Sequence, residues 1–215
     1  MSCPLLYSLV NFSSIHEQLG IAAETATILD QMRFVTMSAI ALIDSAQSPE
    51  ELDKLSTAAK SIQAKISSLP NGTDPSSPFF KDFVYRSCQM AALIYCRAVI
   101  ERVPISKACT VQNLNQLWSC MWRVTLTEWK TIPGIFVWVI LAGNPAAQAT
   151  PHGRFLKSML KAATSYMALD FFDVVDCSLM NYAKLQRWLR TERNDVLVLT
   201  NRGKTRDLAY LQHYK

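Results

Sequence analysis

The stretch Pro133-Gly134-Ile135-Phe136-Val137-Trp138-Val139-Ile140-Leu141-Ala142-Gly143-Asn144-Pro145 decides the fold, because it is the strongest transmembrane candidate in the chain. Its apolar run is entered by Pro-Gly and left by Gly-Asn-Pro. A bilayer span takes about 20 apolar residues, and the run from Ile135 to Ala142 is less than half of that. A helix buried on all sides by protein is the better reading, with no membrane span. Such a helix needs neighbours that surround it, so the rest of the chain is read for helices able to do so.

Helical spacing dominates on both sides. Ile15, Leu19, Ala22, Ala26 and Leu29 step by four and three, which predicts one helix, or a broken pair, reaching to about Asp44. Ser48-Pro49-Glu50-Glu51 then carries the elements of a capping box with proline at the first helical position. Leu52, Leu55, Ala59, Ile62, Ile66 and Leu69 follow at spacings of three and four until Pro70-Asn71-Gly72. Residues 70–78 form a loop rich in turn formers. Further helices are expected over about 79–102, 111–130, 152–167 and 171–190. Strand signals are nearly absent until Val196-Leu197-Val198-Leu199, which is short and isolated. The expected fold is all-α, an array of about seven to nine helices. One domain over 1–194 and a basic tail over 195–215 complete the organisation.

Composition narrows the function. Of 215 residues, 50% are apolar and 18% charged, below the roughly 25% usual for a soluble domain. The net charge of +5 is not spread evenly: residues 1–183 hold 14 basic and 14 acidic side chains, and the last 32 hold eight and three. The basic C-terminal segment, with Lys184, Arg187, Arg190, Arg193, Arg202, Lys204 and Arg206, reads as a solvated helix end, with anionic lipid or nucleic acid as the charged alternatives. Six cysteines without a C-x-x-C pair are expected to be free and mostly buried, and no secretory signal is visible, which points to an intracellular protein.

Catalytic and metal motifs are missing. The histidines are His16, His152 and His213, none with a partner at metal-ligand spacing, and the six glycines form no phosphate loop. No cofactor is indicated. Asp170, Asp173 and Asp176 raise the one enzymatic alternative, a small all-α enzyme of isoprenoid or lipid metabolism that holds magnesium through Asp170 and Asp173. At 100° per residue the third carboxylate drifts about 60° further round, and no second acidic motif follows. The plainer reading puts Asp170 and Asp173 in the first turn of the last helix, where the macrodipole favours negative charge. The aromatic group Trp118, Trp122, Trp129, Phe136 and Trp138 is either core or the wall of an apolar ligand pocket. Trp122, Trp129, Phe136 and Trp138 are the candidate effector-pocket residues.

Two segments together resemble a known family. Cys88-Gln89-Met90-Ala91-Ala92-Leu93-Ile94-Tyr95-Cys96-Arg97-Ala98-Val99 is similar to the A-x-L-I-Y-x-R helix in the regulatory domain of fungal zinc-cluster transcription factors. Trp129-Lys130-Thr131-Ile132-Pro133-Gly134 and the run after it resemble that family's Pro-Gly turn and aromatic-aliphatic helix. Arg154-Phe155-Leu156 and Leu185-Gln186-Arg187-Trp188-Leu189 fit the order of elements, so the resemblance covers about residues 79–190. It implies a non-catalytic, nuclear or cytoplasmic regulatory domain that acts through other proteins or a second copy of itself and often responds to a hydrophobic effector. The family's zinc cluster uses a C-x2-C-x6-C arrangement that none of the six cysteine spacings matches, so no DNA-reading residue carries over and this chain is not expected to bind DNA by itself.

Overall fold

A computed structural model of the chain describes residues 2–44, 48–70, 72, 74–148 and 150–211, with side chains at all of these except 44, 166–171 and 191–211. In chain order the helices are α1 (Phe12–Leu19), α2 (Ala23–Asp44), α3 (Pro49–Ser68), α4 (Phe83–Glu101), α5 (Ile105–Ala108), α6 (Val111–Met121), α7 (Leu126–Thr131), α8 (Pro133–Ala147) and α9 (Gly153–Leu211). No strand occurs among the described residues, and the all-α array is the observed fold. The Val196-Leu197-Val198-Leu199 signal is helical backbone within α9, because a run of four apolar residues without a partner strand gives a ladder nothing to pair with.

At the centre lies α8, on which every residue from Pro133 to Gly143 is buried. Its Ile and Val content would suit a strand, but burial on all faces overrides that local preference. It packs against α4, α5, α6, α7 and α9, while α4 adds contacts to α2, α3, α5 and α6. Small residues on α4, Ala91, Ala92 and Ala98 among them, let these neighbours approach closely. The α4–α8 contact is made by Tyr95 and Trp138, whose rings stack with centroids 5.3 Å apart, and the Tyr95 hydroxyl donates to the Trp138 carbonyl at 3.2 Å.

The expected exit of this helix at Gly143-Asn144-Pro145 is corrected by the structure, since α8 continues through Pro145 to Ala147. Proline has no N–H, so the carbonyl four residues earlier, on Leu141, loses its helical donor. The hydroxyl of Tyr182 on α9 takes that place, donating to the Leu141 carbonyl at 3.0 Å, and Gln186 Nε2 in turn donates to Tyr182 at 3.1 Å. A side chain 41 residues away thus completes the ladder.

The N-terminal segment is wedged over this core. Cys3 and Leu5 are fully buried, Thr36 on α2 donates to the Pro4 carbonyl at 3.0 Å, and Asn181 on α9 donates to the Leu5 carbonyl at 2.7 Å. The chain crosses so near α8 that a β-carbon on Gly134 would sit 2.5 Å from the Ser2 carbonyl oxygen. The first helical series is the broken pair, divided at Gly20, whose φ of 64° is left-handed. Asn11 makes no side-chain cap at the start of α1. Asp30 of α2 does so instead, accepting from the backbone N–H of Phe12 at 2.7 Å and of Ser13 at 2.9 Å. By length and composition α2, over Ala23–Ile43, and not the shorter α8, is the helix among the described residues long and apolar enough to cross a membrane; half of it is buried in the array against α1, α3, α4 and α9.

Helix α3 carries the expected capping box between Ser48 and Glu51 and buries Leu55, Ala59, Ile62 and Ile66. Two expectations change. The helix over 111–130 is broken into α6 and α7, because Thr125 and Glu128 form a second capping box that starts a new helix. The helices over 152–167 and 171–190 are one, since no glycine or proline separates them. Asp170 and Asp173 therefore lie inside α9 and not in a first turn. Leu185, Trp188 and Leu189 anchor α9 to the core, with the Arg102 guanidinium 3.8 Å from the Trp188 ring. The side chains of the tail over 195–215 lie outside the described residues.

Two expected outcomes follow from this packing. Tyr182→Phe leaves a buried carbonyl unsatisfied and should cost about 1–3 kcal/mol in urea unfolding with the helical circular dichroism retained. Burial also holds protons on acids that the unfolded chain releases: Cys3 and Cys109 are pushed from 9.0 to about 11, Cys96 from 9.0 to about 12 and Tyr85 from 10.0 to about 12. The folded state then binds more protons than the unfolded one above pH 9, so stability is full below that pH and falls as pH rises toward 11 and 12. Urea midpoints measured from pH 7 to pH 11 should decline only on the alkaline side.

Candidate functional site

Where α6 ends at Met121 and α7 begins at Leu126, the intervening turn borders a cavity of about 570 Å³. Met121, Trp122, Val124, Thr125, Leu126, Trp129 and Lys130 form one wall, Pro133 and Phe136 of α8 the floor, and Phe155, Ser158, Met159, Ala162 and Ala163 of α9 the other wall. Its size falls in the range of about 300–1,000 Å³ typical of small-molecule pockets. The helix break at 122–125, fixed by the Thr125–Glu128 capping box, is what separates the walls.

Aromatic rings dominate the lining. Trp129, itself buried, stacks on Phe136 at 4.6 Å between centroids, and its Nε1 donates to the Met121 carbonyl at 3.4 Å. Trp122 is 62% exposed and meets the edge of Phe155 at 5.0 Å. Trp118 stacks on Trp122 at 5.8 Å and on His152 at 4.6 Å, extending the cluster outward. Only Thr125, Lys130 and Ser158 bring polar side chains to the wall. The Thr125 hydroxyl is spent on the cap, bonded to the Glu128 carboxylate and to the Glu128 N–H.

Three of the four residues expected in a pocket, Trp122, Trp129 and Phe136, come together here. Trp138 does not. Two residues on from Phe136 it is turned about 200° around α8, to the face that meets Tyr95, and it is fully buried. Phe155 and Met159 were missed, although their spacing of four on a helix marks them as neighbours. Nothing local in the sequence says that α9 returns alongside α6 and α7.

The other chemical candidates are scattered. His16 sits at the end of α1 with its Nδ1 3.0 Å from the Ser13 carbonyl, and His213 lies outside the described residues. Asp173 and Asp176 are exposed on α9; the side chain of Asp170 lies outside the described residues. Among the described residues, no group of three or more His, Cys, Asp or Glu is gathered to hold a metal ion. Cys3, Cys88, Cys96, Cys109 and Cys120 are buried and Cys177 is exposed, all as free thiols. Comparison of the chain with protein-family models, with curated proteins and with solved structures returned no match.

The two tryptophans separate in their expected effects. Trp138→Ala removes a buried ring and should cost about 3–5 kcal/mol in urea unfolding, whereas Trp122→Ala, largely exposed, should change stability by about 0.5 kcal/mol or less while altering the uptake of a neutral apolar dye.

Proposed function

We propose that this chain is a non-catalytic regulatory domain of the kind found in fungal zinc-cluster transcription factors, which binds a hydrophobic small molecule and passes the change to protein partners in the nucleus. The observation that carries this reading is the cavity between α6–α7 and α9, walled by Trp122, Trp129, Phe136 and Phe155. Its lining is apolar and aromatic, which suits binding by burial. Further support comes from the two segments that carry the resemblance. They pack on each other as α4 and α8, with Tyr95 against Trp138.

A ligand held there touches α7, α8 and α9 at once. Filling the cavity adds apolar contact to all three and favours the arrangement in which they are closed around it, so binding can bias how α9 lies on the body. DNA recognition is assigned to another module. The chain alone is expected to leave duplex DNA unshifted.

The test is to fuse the chain to an unrelated DNA-binding domain and measure a reporter with and without a panel of neutral apolar compounds, sterols included. A subset should change reporter output and raise the melting temperature of the purified chain. Ala162→Trp, which fills the cavity from its α9 wall, should abolish both responses while the melting temperature without ligand stays within a few degrees. Reporter output and stability indifferent to every compound would overturn the reading.

A further inference from the structure

The middle of α9 packs one face on α8 and α2 and leaves the other bare. Val175, Ser178, Leu185 and Leu189 are buried; at about 100° per residue they lie about 140–180° round the helix from Met180. The reverse face is an exposed stripe. Asp173, Cys177, Met180, Lys184 and Arg187 follow one another at spacings of four, three, four and three, all within about 60° of Met180. That spacing is the seam of a helix pair. Asp176 and Ala183 flank it, both exposed, and Met180 and Phe172 are large apolar side chains left open to water.

The order of charge along the stripe identifies what covers it. Asp176 and Lys184 each stand four residues from Met180, on opposite sides, and Asp173 and Arg187 each stand seven. The face is acidic at one end and basic at the other, with the signs placed symmetrically about residue 180. No ion pair within the chain engages Asp173, Asp176 or Lys184 among the described residues, while Arg187 has a contact in its own chain and adds only its sign to the basic end. A second copy laid parallel sets like charge beside like charge. An antiparallel copy sets each acidic end level with a basic one.

We propose that α9 pairs with α9 of a second copy of this chain, antiparallel about a two-fold axis at Met180. Asp176 of one copy then stands level with Lys184 of the other, about 6 Å along the helix from the axis, and Asp173 stands level with Arg187 at about 10 Å. Each contact occurs twice. The two Met180 side chains meet at the axis and supply apolar burial, whereas the charges set direction and register and weaken with added salt. The cavity uses α9 only from Phe155 to Ala163, so this pairing and the effector reading do not depend on each other.

The experiment is sedimentation of the whole chain across a wide concentration range at low ionic strength, which should show a reversible monomer–dimer equilibrium. Lys184→Glu sets acidic groups level with each other at two places and should raise the dissociation constant about tenfold; Asp176→Lys, which does the same with basic groups, should match it. Mixed in equal amounts, the two variants should dimerise with each other as tightly as the wild type does. Register is read by oxidation. Helices packed about 9 Å apart bring α-carbons at the axis to about 4–5 Å, within disulfide reach, so Met180→Cys in a Cys177→Ser background should form a covalent dimer. The two Cys177 residues of the wild type are offset by about 9 Å along the axis and should stay reduced. A chain that stays monomeric throughout overturns the proposal, and so does a dimer indifferent to both charge reversals. A dimer that fails to cross-link at position 180, or that cross-links through Cys177, overturns the antiparallel register.

Discussion

The structure depends on burying α8 on every side. An apolar helix with no solvent face cannot leave any backbone group unsatisfied, because desolvating an unpaired carbonyl costs as much as several good packing contacts return. Pro145 creates such a carbonyl on Leu141, and the hydroxyl of Tyr182 meets it. That bond ties α9 to α8 alongside the packing of Leu185, Trp188 and Leu189. Gln186 behind Tyr182, and Asn181 on the Leu5 carbonyl, extend the tie to the next turn and to the N-terminal segment.

The cavity follows from the same constraint. Tyr182, Leu185, Trp188 and Leu189 hold the middle of α9 against the body, whereas its first turns, from Phe155 to Ala163, face α6 and α7 across a space that the side chains there do not fill. The capping box at Thr125 and Glu128 keeps the α6–α7 turn from continuing as one helix that would close it. Anchoring at one end and a break in the facing wall leave an opening lined by aromatic rings. Its position over Pro133 and Phe136 puts a ligand directly on the helix that organises the core.

Several features were legible from residue pattern alone. Ser48 with Glu51 and the 3–4 spacing through Ile66 define α3 without knowledge of anything it touches, because capping and amphipathicity are local. The buried character of α8 was readable from a run too short to span a bilayer. The continuity of α9 was not, since Asp170 and Asp173 at the head of an apolar pattern look like the acidic first turn of a new helix. The T-x-x-E box at Thr125 was present in the sequence, hidden inside a longer apolar series.

By itself the sequence determined the all-helical class, the capping of α3, the central apolar helix and the placement of Trp122, Trp129 and Phe136 among the candidates for a pocket. Helical periodicity and end signals are properties of neighbouring residues, so they can be read in order along the chain. Only the tertiary structure decided that Trp138 belongs to the core, that Phe155 completes the cavity, that Asp30 caps α1 and that Tyr182 serves Leu141. Each of these depends on which face of a helix meets which partner across tens of residues, and that choice is made by packing, where a rotation of two residues separates a cavity wall from a sealed interior.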